Sequence, residues 1–126
     1  MSWDAIRRIV EERVTDEWTD ASVPFVFEEQ KHEHDWNTWM RVTVRFDESE
    51  NAALGKLIRY PGRVIVQVFA PKGKGTGASL RISEAVAALF QNQTFGHLTF
   101  YAGSIIQAGQ REQYIQHNVY IPFFYQ

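Results

Sequence analysis

The stretch RVIVQVFA, residues 63–70, is nearly continuous in apolar side chains and decides the class of fold. Strands covered on both faces have this composition, whereas half-exposed strands alternate apolar and polar residues. The dipeptide Pro61-Gly62, a common turn signal, precedes the stretch and separates it from the segment before it. We therefore predict a central strand of a sheet at residues 63–70.

The segment that follows, APKGKGTGAS at residues 70–79, contains three glycines and two lysines. Apolar residues then recur at helical spacing, with Thr76 or Gly77 as the natural start of a helix. The apolar stripe consists of Ala78, Ile82, Ala85, Val86, Leu89 and Phe90. These patterns predict a strand, a glycine-rich loop and an amphipathic helix in that order.

The first third of the chain predicts one helix and two strands. Ser2 suits an N-cap position, and the helical spacing of the apolar residues after it predicts a helix over residues 3–14. The segment FVFEEQ, residues 25–30, predicts a short strand after Pro24. The segment TWMRVTVRFDE, residues 38–48, predicts a half-buried strand, because every second residue is apolar. Those residues are Met40, Val42, Val44 and Phe46.

The connection between the second strand and the central strand is long. It comprises the sixteen residues from Asp47 to Gly62. Connections of this length in a compact domain are commonly functional or carry structure of their own. The letters LGKLIRY within it predict a short hairpin or a projecting arm.

The last third of the chain predicts a hairpin of two long strands, HLTFYAGSIIQA and QYIQHNVYIPFFY, joined by the turn GQRE. Pro122 inside the second run favours an edge strand, because proline cannot donate a ladder hydrogen bond. The fold class that we predict is α+β. Two helices pack on one face of a mostly antiparallel, mixed sheet of about four to five strands, with a projecting loop or hairpin arm.

Composition limits the classes of function. The chain has 126 residues, which predicts a single domain over residues 1–126, and a formal net charge of −2, which argues against a dedicated nucleic-acid binder. The absence of cysteine excludes thiol nucleophiles, disulfides and cysteine zinc sites, and suits a reducing cytoplasm. The N-terminal segment is charged, and no apolar run approaches the ~20 residues that cross a bilayer, so we expect no membrane association. Aromatic residues make up 14% of the chain, a high share that suits an interface.

The glycine-rich loop has three interpretations. A Walker-type loop requires lysine directly before the helix, whereas Lys72 and Lys74 precede the last glycine, and the spacing of Gly73, Gly75 and Gly77 does not match the dinucleotide fingerprint. A helix N-terminus still attracts anions, so a phosphate- or nucleotide-binding protein remains a hypothesis. We favour a flexible glycine turn over it. The third interpretation is a basic loop that contacts a partner.

No other motif predicts a catalytic or metal site. The letters HEHD, residues 32–35, place His32 and His34 on one face of a strand, but a metal site needs a third ligand, and a solvated turn is the favoured interpretation. The letters around Ser79, GASLR, do not form a nucleophile elbow. The carboxylates of FDESE, residues 46–50, suit a solvated surface. We therefore expect no enzyme activity and no cofactor.

Two long segments resemble the tail terminator proteins of long-tailed bacteriophages. The first is YPGRVIVQVFAPKGKGTGASLRISEAVAALFQNQTF, whose strand ends in V-x-V-F-x-P before a K-G-x-G-x-G-like loop and a helix that closes in A-x-x-L-F. The second, GQREQYIQHNVYIPFFY, is similar to the closing hairpin of that family. The segment before residue 60 resembles the family only loosely, and HEHD matches no motif of it.

The resemblance implies a structural virion protein in the neck region of the tail, assembled in the host cytoplasm. It implies a hexameric ring that caps the tail tube, ends tube polymerisation and contacts the head–tail connector or stopper protein. DNA would pass through the lumen without sequence-specific binding. The alternative is another neck or tail-tube component. The residues expected at contacts with neighbouring subunits, tube or connector are Lys72, Gly73, Lys74, Gly75, Thr76, Leu57, Arg59, Tyr60, Trp36 and Phe124.

Overall fold

A computed structural model of the chain describes residues 2–28, 30–31, 37–51, 57–73, 76–110 and 113–126. These ranges contain two helices, α1 (Ser2–Glu17) and α2 (Gly77–Ala88). They contain eight strands, which are β1 (Phe25–Phe27), β2 (Trp39–Phe46), β3 (Glu50–Asn51), β4 (Ile58–Pro71), β5 (Thr94–Phe95), β6 (Leu98–Phe100), β7 (Ser104–Gln110) and β8 (Tyr114–Tyr125).

The predicted sheet of about four to five strands was wrong, because the described ranges form one eight-stranded sheet and the molecule is mostly β. The hydrogen-bonded order is β1-β2-β4-β8-β6-β5, with β3 added beside β4 and β7 beside β8. The first pair, β1 with β2, is parallel, and the other pairs are antiparallel. The number of strands rises because β4 and β8, of 14 and 12 residues, are each long enough to pair with two shorter strands along one edge.

The central strand is β4, and its register explains the apolar run. Val64 pairs with Val44 of β2 on one side and Ile121 of β8 on the other. Val66 lies likewise between Val42 and Val119. Alternate residues of a strand point to opposite faces, so these valines define one buried face of the sheet.

The strand β8 is not an edge strand, so the interpretation of Pro122 was wrong. One edge of β8 pairs with β4 along its whole length, and the other pairs with β7 and then β6. The carbonyl oxygen of Pro122 accepts a hydrogen bond from the N–H of Tyr101 at 2.9 Å. A residue's N–H and C=O point the same way in a strand, so the missing N–H faces the irregular residues 101–103. The proline is accommodated where the outer strand is interrupted between β6 and β7.

Both helices pack on the same face of the sheet, called here the covered face. The helix α1 contributes Ile6, Val10 and Val14 to the core, each fully buried. The helix α2 and the residues after it contribute Val86, Ala87 and Phe90. The strands supply Val64, Val66, Val68, Val119, Ile121 and Phe123, among others. This arrangement leaves the other face of the sheet without a helical cover from the described part of the chain.

Candidate functional site

The side of the sheet opposite the two helices has no helical cover from the described part of the chain, and we call it the open face. Its residues alternate in register with the buried valines of the covered face. On β2, β4 and β8 they are Arg41, Thr43, Arg45, Arg59, Arg63, Ile65, Gln67, Gln116, Asn118, Tyr120 and Phe124. It is a broad surface and not a pocket.

One end of the open face is closed by aromatic side chains. Trp39 stacks on Phe69 with ring centroids 4.4 Å apart, and Tyr114 meets Phe69 edge to face at 6.3 Å. Val26 of β1 packs against this cluster. The guanidinium of Arg41 lies 5.2 Å from the centroid of the Trp39 ring, a cation–π distance. The cluster gives this end of the open face a small core of its own.

The middle of the open face is polar. The amide of Gln116 donates to Oδ1 of Asn118 at 2.9 Å, and the amide of Asn118 donates to the Tyr120 hydroxyl at 3.0 Å. These residues lie at successive same-face positions of β8 and are half-buried. Because part of their hydrogen-bonding capacity is satisfied internally, this row can sit beside a partner or beside water at low cost.

Four arginines, Arg41, Arg45, Arg59 and Arg63, run along the open face, and we call them the basic stripe. Arg45 of β2 lies directly opposite Arg63 of β4. Arg45 forms an ion pair with Glu28 at 2.6 Å, and Arg59 one with Glu50 at 3.9 Å. Within the described ranges Arg63 is exposed and forms no ion pair. The stripe therefore presents positive charge that the open face itself only partly neutralises.

The structure brings together two of the predicted contact residues at the start of β4. The Arg59 guanidinium lies 4.7 Å from the centroid of the Phe124 ring, on the open face. Tyr60, the next residue along β4, turns to the covered face and meets Trp3 edge to face at 5.1 Å. Leu57 is 47% exposed beside the β3–β4 pair. The described residues of the predicted arm lie in the antiparallel β3–β4 pair, called here the hairpin, and the predicted turn at Pro61-Gly62 was wrong because both residues lie inside β4.

The glycine-rich loop lies at the opposite end of β4 from this hairpin, so the two predicted contact regions are far apart. The backbone N–H of Lys72 donates to the Gln113 carbonyl at 3.0 Å, which ties the loop to the start of β8. Gly73 has a φ of +90°, a conformation that favours glycine. Thr76 is the N-cap of α2 but its side chain forms no capping hydrogen bond. Three further predicted contact residues, Lys74, Gly75 and Trp36, and the HEHD segment lie outside the described residues.

A cleft of about 430 Å³ opens on the covered side, between α1 and the strands β1 and β2. Its walls are Trp3, Phe27, Val42, Val44 and Phe46, and charged groups of α1 form its rim. The Arg7 guanidinium donates to Asp4 at 2.8 Å and to Glu11 at 3.0 Å. The hydrogen bond from Arg7 lowers the pKa of Asp4, and the same pair raises the pKa of Arg7. These rim groups are exposed and paired with each other, as on an ordinary helix surface.

A serine and a histidine meet in the core, but they do not form a reactive site. The Ser79 hydroxyl of α2 lies 2.7 Å from Nδ1 of His117 on β8. Ser79 is 0% exposed and His117 is 3% exposed, so no substrate reaches the hydroxyl. The Ser83 hydroxyl donates to the Ser79 carbonyl at 2.9 Å in the same layer. We interpret this cluster as a satisfied polar contact between helix and sheet.

The described residues contain neither a cluster of metal ligands nor a membrane-spanning helix. No group of three or more histidine, cysteine, aspartate or glutamate side chains is placed to hold a metal ion. No helix in the same ranges has the length and apolar character that crossing a membrane requires.

The basic stripe was missed in the sequence interpretation, although a signal for it exists. Arg41 and Arg45 occupy the polar positions of the alternation that predicted β2, and Arg63 begins the apolar run of β4. The alternation alone places Arg41 and Arg45 on one face. Only the pairing register of β2 with β4 places Arg63 beside them.

The fold and the open face define a small, mostly β protein whose candidate site is an extended surface. Residues 5–118 match the family model of phage tail terminator proteins, so the chain belongs to the phage tail terminator protein family. This family comprises structural proteins of the virion, and the chain is accordingly a structural component of a phage tail that interacts with other tail proteins.

A solved structure with 21% identical residues is similar to this chain with a TM-score of 0.77. The alignment covers 100% of this chain and 96% of that chain. At this level of identity the likeness shows a shared fold alone. No curated protein sequence matches the chain.

Proposed function

We propose that the protein forms a ring that caps the tail tube and ends its polymerisation. The observation that carries this proposal is the open face, a broad surface with charged and aromatic side chains, on a chain that belongs to the tail terminator family. A surface of this extent suits contact with other subunits, since interfaces gain from aromatic and arginine side chains. The resemblance to the family implies six copies in the ring.

The same proposal includes head–tail joining. A ring of identical subunits has two different ends, so one end can bind the last ring of the tube while the other binds the connector or stopper protein. The exposed hairpin at β3–β4 and the glycine-rich loop lie at opposite ends of β4 and can serve different partners. We propose Leu57 and Tyr60 for one set of contacts, Lys72 to Thr76 for the other, and Arg59 and Phe124 for contact with the neighbouring subunit. Trp36 remains a proposed contact residue.

We further propose that the protein acts by binding and not by catalysis, and that DNA passes through the lumen without base-specific contacts. The buried state of Ser79 and His117 supports the first part. The formal net charge of −2 supports the second, because tight binding to the DNA backbone depends on a strong excess of basic groups.

The proposal is tested with the purified protein and purified tail tubes. Native mass spectrometry is expected to show a closed species of six times the 14.6 kDa chain mass, alone or on tubes. Tube subunits that elongate in vitro are expected to stop growing when the protein is added. A protein that is a monomer in both settings and leaves tube growth unchanged contradicts the proposal.

The alternative, another neck or tail-tube component, has a distinct outcome. A tube protein repeats its own contact without closure at one ring, so the pure protein would form long tubes visible by electron microscopy. Phage particles that lack a terminator are expected to carry overlong tubes without heads, and supply of the protein is expected to restore normal particles. Normal tail length in its absence favours a different tail component.

A further inference from the structure

The basic stripe destabilises an isolated chain. Arg45 and Arg63 face each other across the β2–β4 pair, and like charges directly opposite in a sheet are destabilising. Glu28 neutralises Arg45, whereas Arg63 has no ion-pair partner within the ranges that the structure describes. A carboxylate supplied from outside the chain would remove this repulsion.

The C-terminal part of α1 carries three carboxylates, Glu12, Asp16 and Glu17, and we call them the acidic end. Glu12 and Asp16 are both exposed and lie four residues apart on the helix, a spacing at which like charges repel. The last turn of α1 contains no basic residue, and acidic groups there oppose the helix dipole. Of these three carboxylates, Glu17 forms an ion pair within the described residues, with Arg13 at 3.4 Å. This end of the helix would also be stabilised by charge from outside.

The acidic end and the basic stripe lie on opposite sides of the sheet. The helix α1 buries Ile6, Val10 and Val14 against the covered face of the sheet. The basic stripe lies on the open face. The sheet lies between the two patches, and within the described residues no ion pair joins them.

The symmetry of an assembly decides which patches of two copies can meet. A two-fold contact that uses one patch alone places arginine against arginine or carboxylate against carboxylate, and patches on opposite sides of a subunit cannot both enter a single two-fold contact. Complementary patches on opposite sides of a subunit instead pair head to tail, and such contacts close into a ring when the rotation allows it.

We propose that the basic stripe on the open face of one copy docks onto the acidic end of α1 of the next copy. The stripe already binds carboxylates, since Arg45 and Arg59 hold Glu28 and Glu50. Ile65 and Phe124 beside the arginines supply apolar area to the same contact. The inference rests on the proposed ring, and it names the two surfaces that form it.

The test uses charge reversal at one residue of each patch. Arg63→Glu and Asp16→Arg are each expected to weaken self-association on the order of 10- to 100-fold, because like charges then meet across the contact. Both side chains are exposed, so folding is expected to persist by circular dichroism. Arg81→Glu and Glu84→Arg on α2 are matched controls with the same changes of charge and are expected to leave association unchanged.

The most discriminating experiment mixes the two variants Arg63→Glu and Asp16→Arg. In an equimolar mixture, the intact stripe of Asp16→Arg meets the intact acidic end of Arg63→Glu, and the reversed patches are complementary to each other. Sedimentation is therefore expected to show restored oligomers in the mixture, and association of the wild type is expected to weaken as salt rises. A two-fold contact through the basic stripe alone does not predict a defect in Asp16→Arg, and one through the acidic end alone does not predict a defect in Arg63→Glu.

The outcomes separate this inference from the proposed function. If Arg63→Glu assembles as the wild type does, alone and on tail tubes, the ring stands and the assigned surfaces are wrong. If the wild type stays monomeric in both settings, the ring and the inference fail together. If the wild type binds a random-sequence DNA duplex, Arg63→Glu abolishes that binding and ring formation is unchanged, the stripe faces nucleic acid and the inference is overturned.

Discussion

The Ser79 hydroxyl and Nδ1 of His117 lie 2.7 Å apart in the buried layer between α2 and β8. The hydrogen bond satisfies two polar groups that have little access to water, and it fixes the helix over the strand. Ser83, one turn further along α2, is also buried. The side of the helix that meets the sheet therefore carries small polar side chains.

We predict that His117→Ala lowers the free energy of unfolding by about 2–4 kcal/mol, because the change opens a cavity and leaves the Ser79 hydroxyl without its partner. Urea denaturation followed by circular dichroism measures the loss. His97→Ala, at an exposed position, is the control and is expected to cost under ~1 kcal/mol. Equal stability of His117→Ala and the wild type would show that the pair contributes nothing to folding.

A second prediction concerns Gly62, where β2, β4 and β8 approach one another closely. A Cβ atom at this position would clash with the Arg45 carbonyl oxygen and would lie 2.7 Å from the Phe123 ring. We expect Gly62→Ala to destabilise the protein by about 1–3 kcal/mol through this overpacking. The thermal midpoint is the measurement.

Gly77→Ala is the matched control for this change. The nearest atom to a Cβ at Gly77 is the terminal guanidinium nitrogen of Arg81 at 3.2 Å, which can move away. Alanine also favours the helix over glycine, so this variant is expected to be as stable as the wild type or more so. If both variants melt alike, close packing at Gly62 is not what constrains that position.

A third prediction concerns the exposed apolar pair Leu57 and Ile58, which are 47% and 44% exposed. The double change Leu57→Ser with Ile58→Ser is expected to alter the free energy of unfolding by under ~0.5 kcal/mol, since neither side chain is in the core. We expect it to abolish the arrest of tube growth. Leu80→Ser on α2, at a comparably exposed site, is the control that should retain arrest. Normal arrest by the double variant would remove the hairpin from the proposed contacts.

A fourth prediction addresses the glycine-rich loop as a phosphate site. We expect nucleotides with magnesium to leave the melting temperature within ~1 °C of the apo value. A ligand raises the melting temperature only when it binds the folded state, and we expect no such binding at this loop. Differential scanning fluorimetry with and without nucleotide is the measurement. A large shift that disappears in the variant Lys72→Ala with Lys74→Ala would instead establish phosphate binding at the loop.

Several features of the fold follow from local patterns in the chain. The alternation at Met40, Val42 and Val44 predicts β2, because a half-buried strand requires a period of two. The spacing of Ile82 and Val86 predicts α2 in the same way. The tail terminator family was predicted from two motif-bearing segments, and the match over residues 5–118 confirms it.

The size of the sheet and the role of Pro122 were not predicted correctly, and the cause is pairing. Short strands such as β3 and β5 have two residues each and carry no periodic signal. Their existence depends on long strands elsewhere that offer a free edge. Pro122 predicts an edge only when the whole neighbouring strand is regular, and here the neighbour is interrupted at residues 101–103.

The sequence by itself determined that regular structure forms around α1, β2 and α2, because the periodicity of apolar residues depends on near neighbours along the chain, and its motifs identified the family. Tertiary structure alone decided that Arg63 lies opposite Arg45 and that Ser79 meets His117. Both contacts join residues far apart in sequence, and they arise from the register of strands and the docking of a helix. A charge pattern on a surface is therefore visible only after the strands have paired.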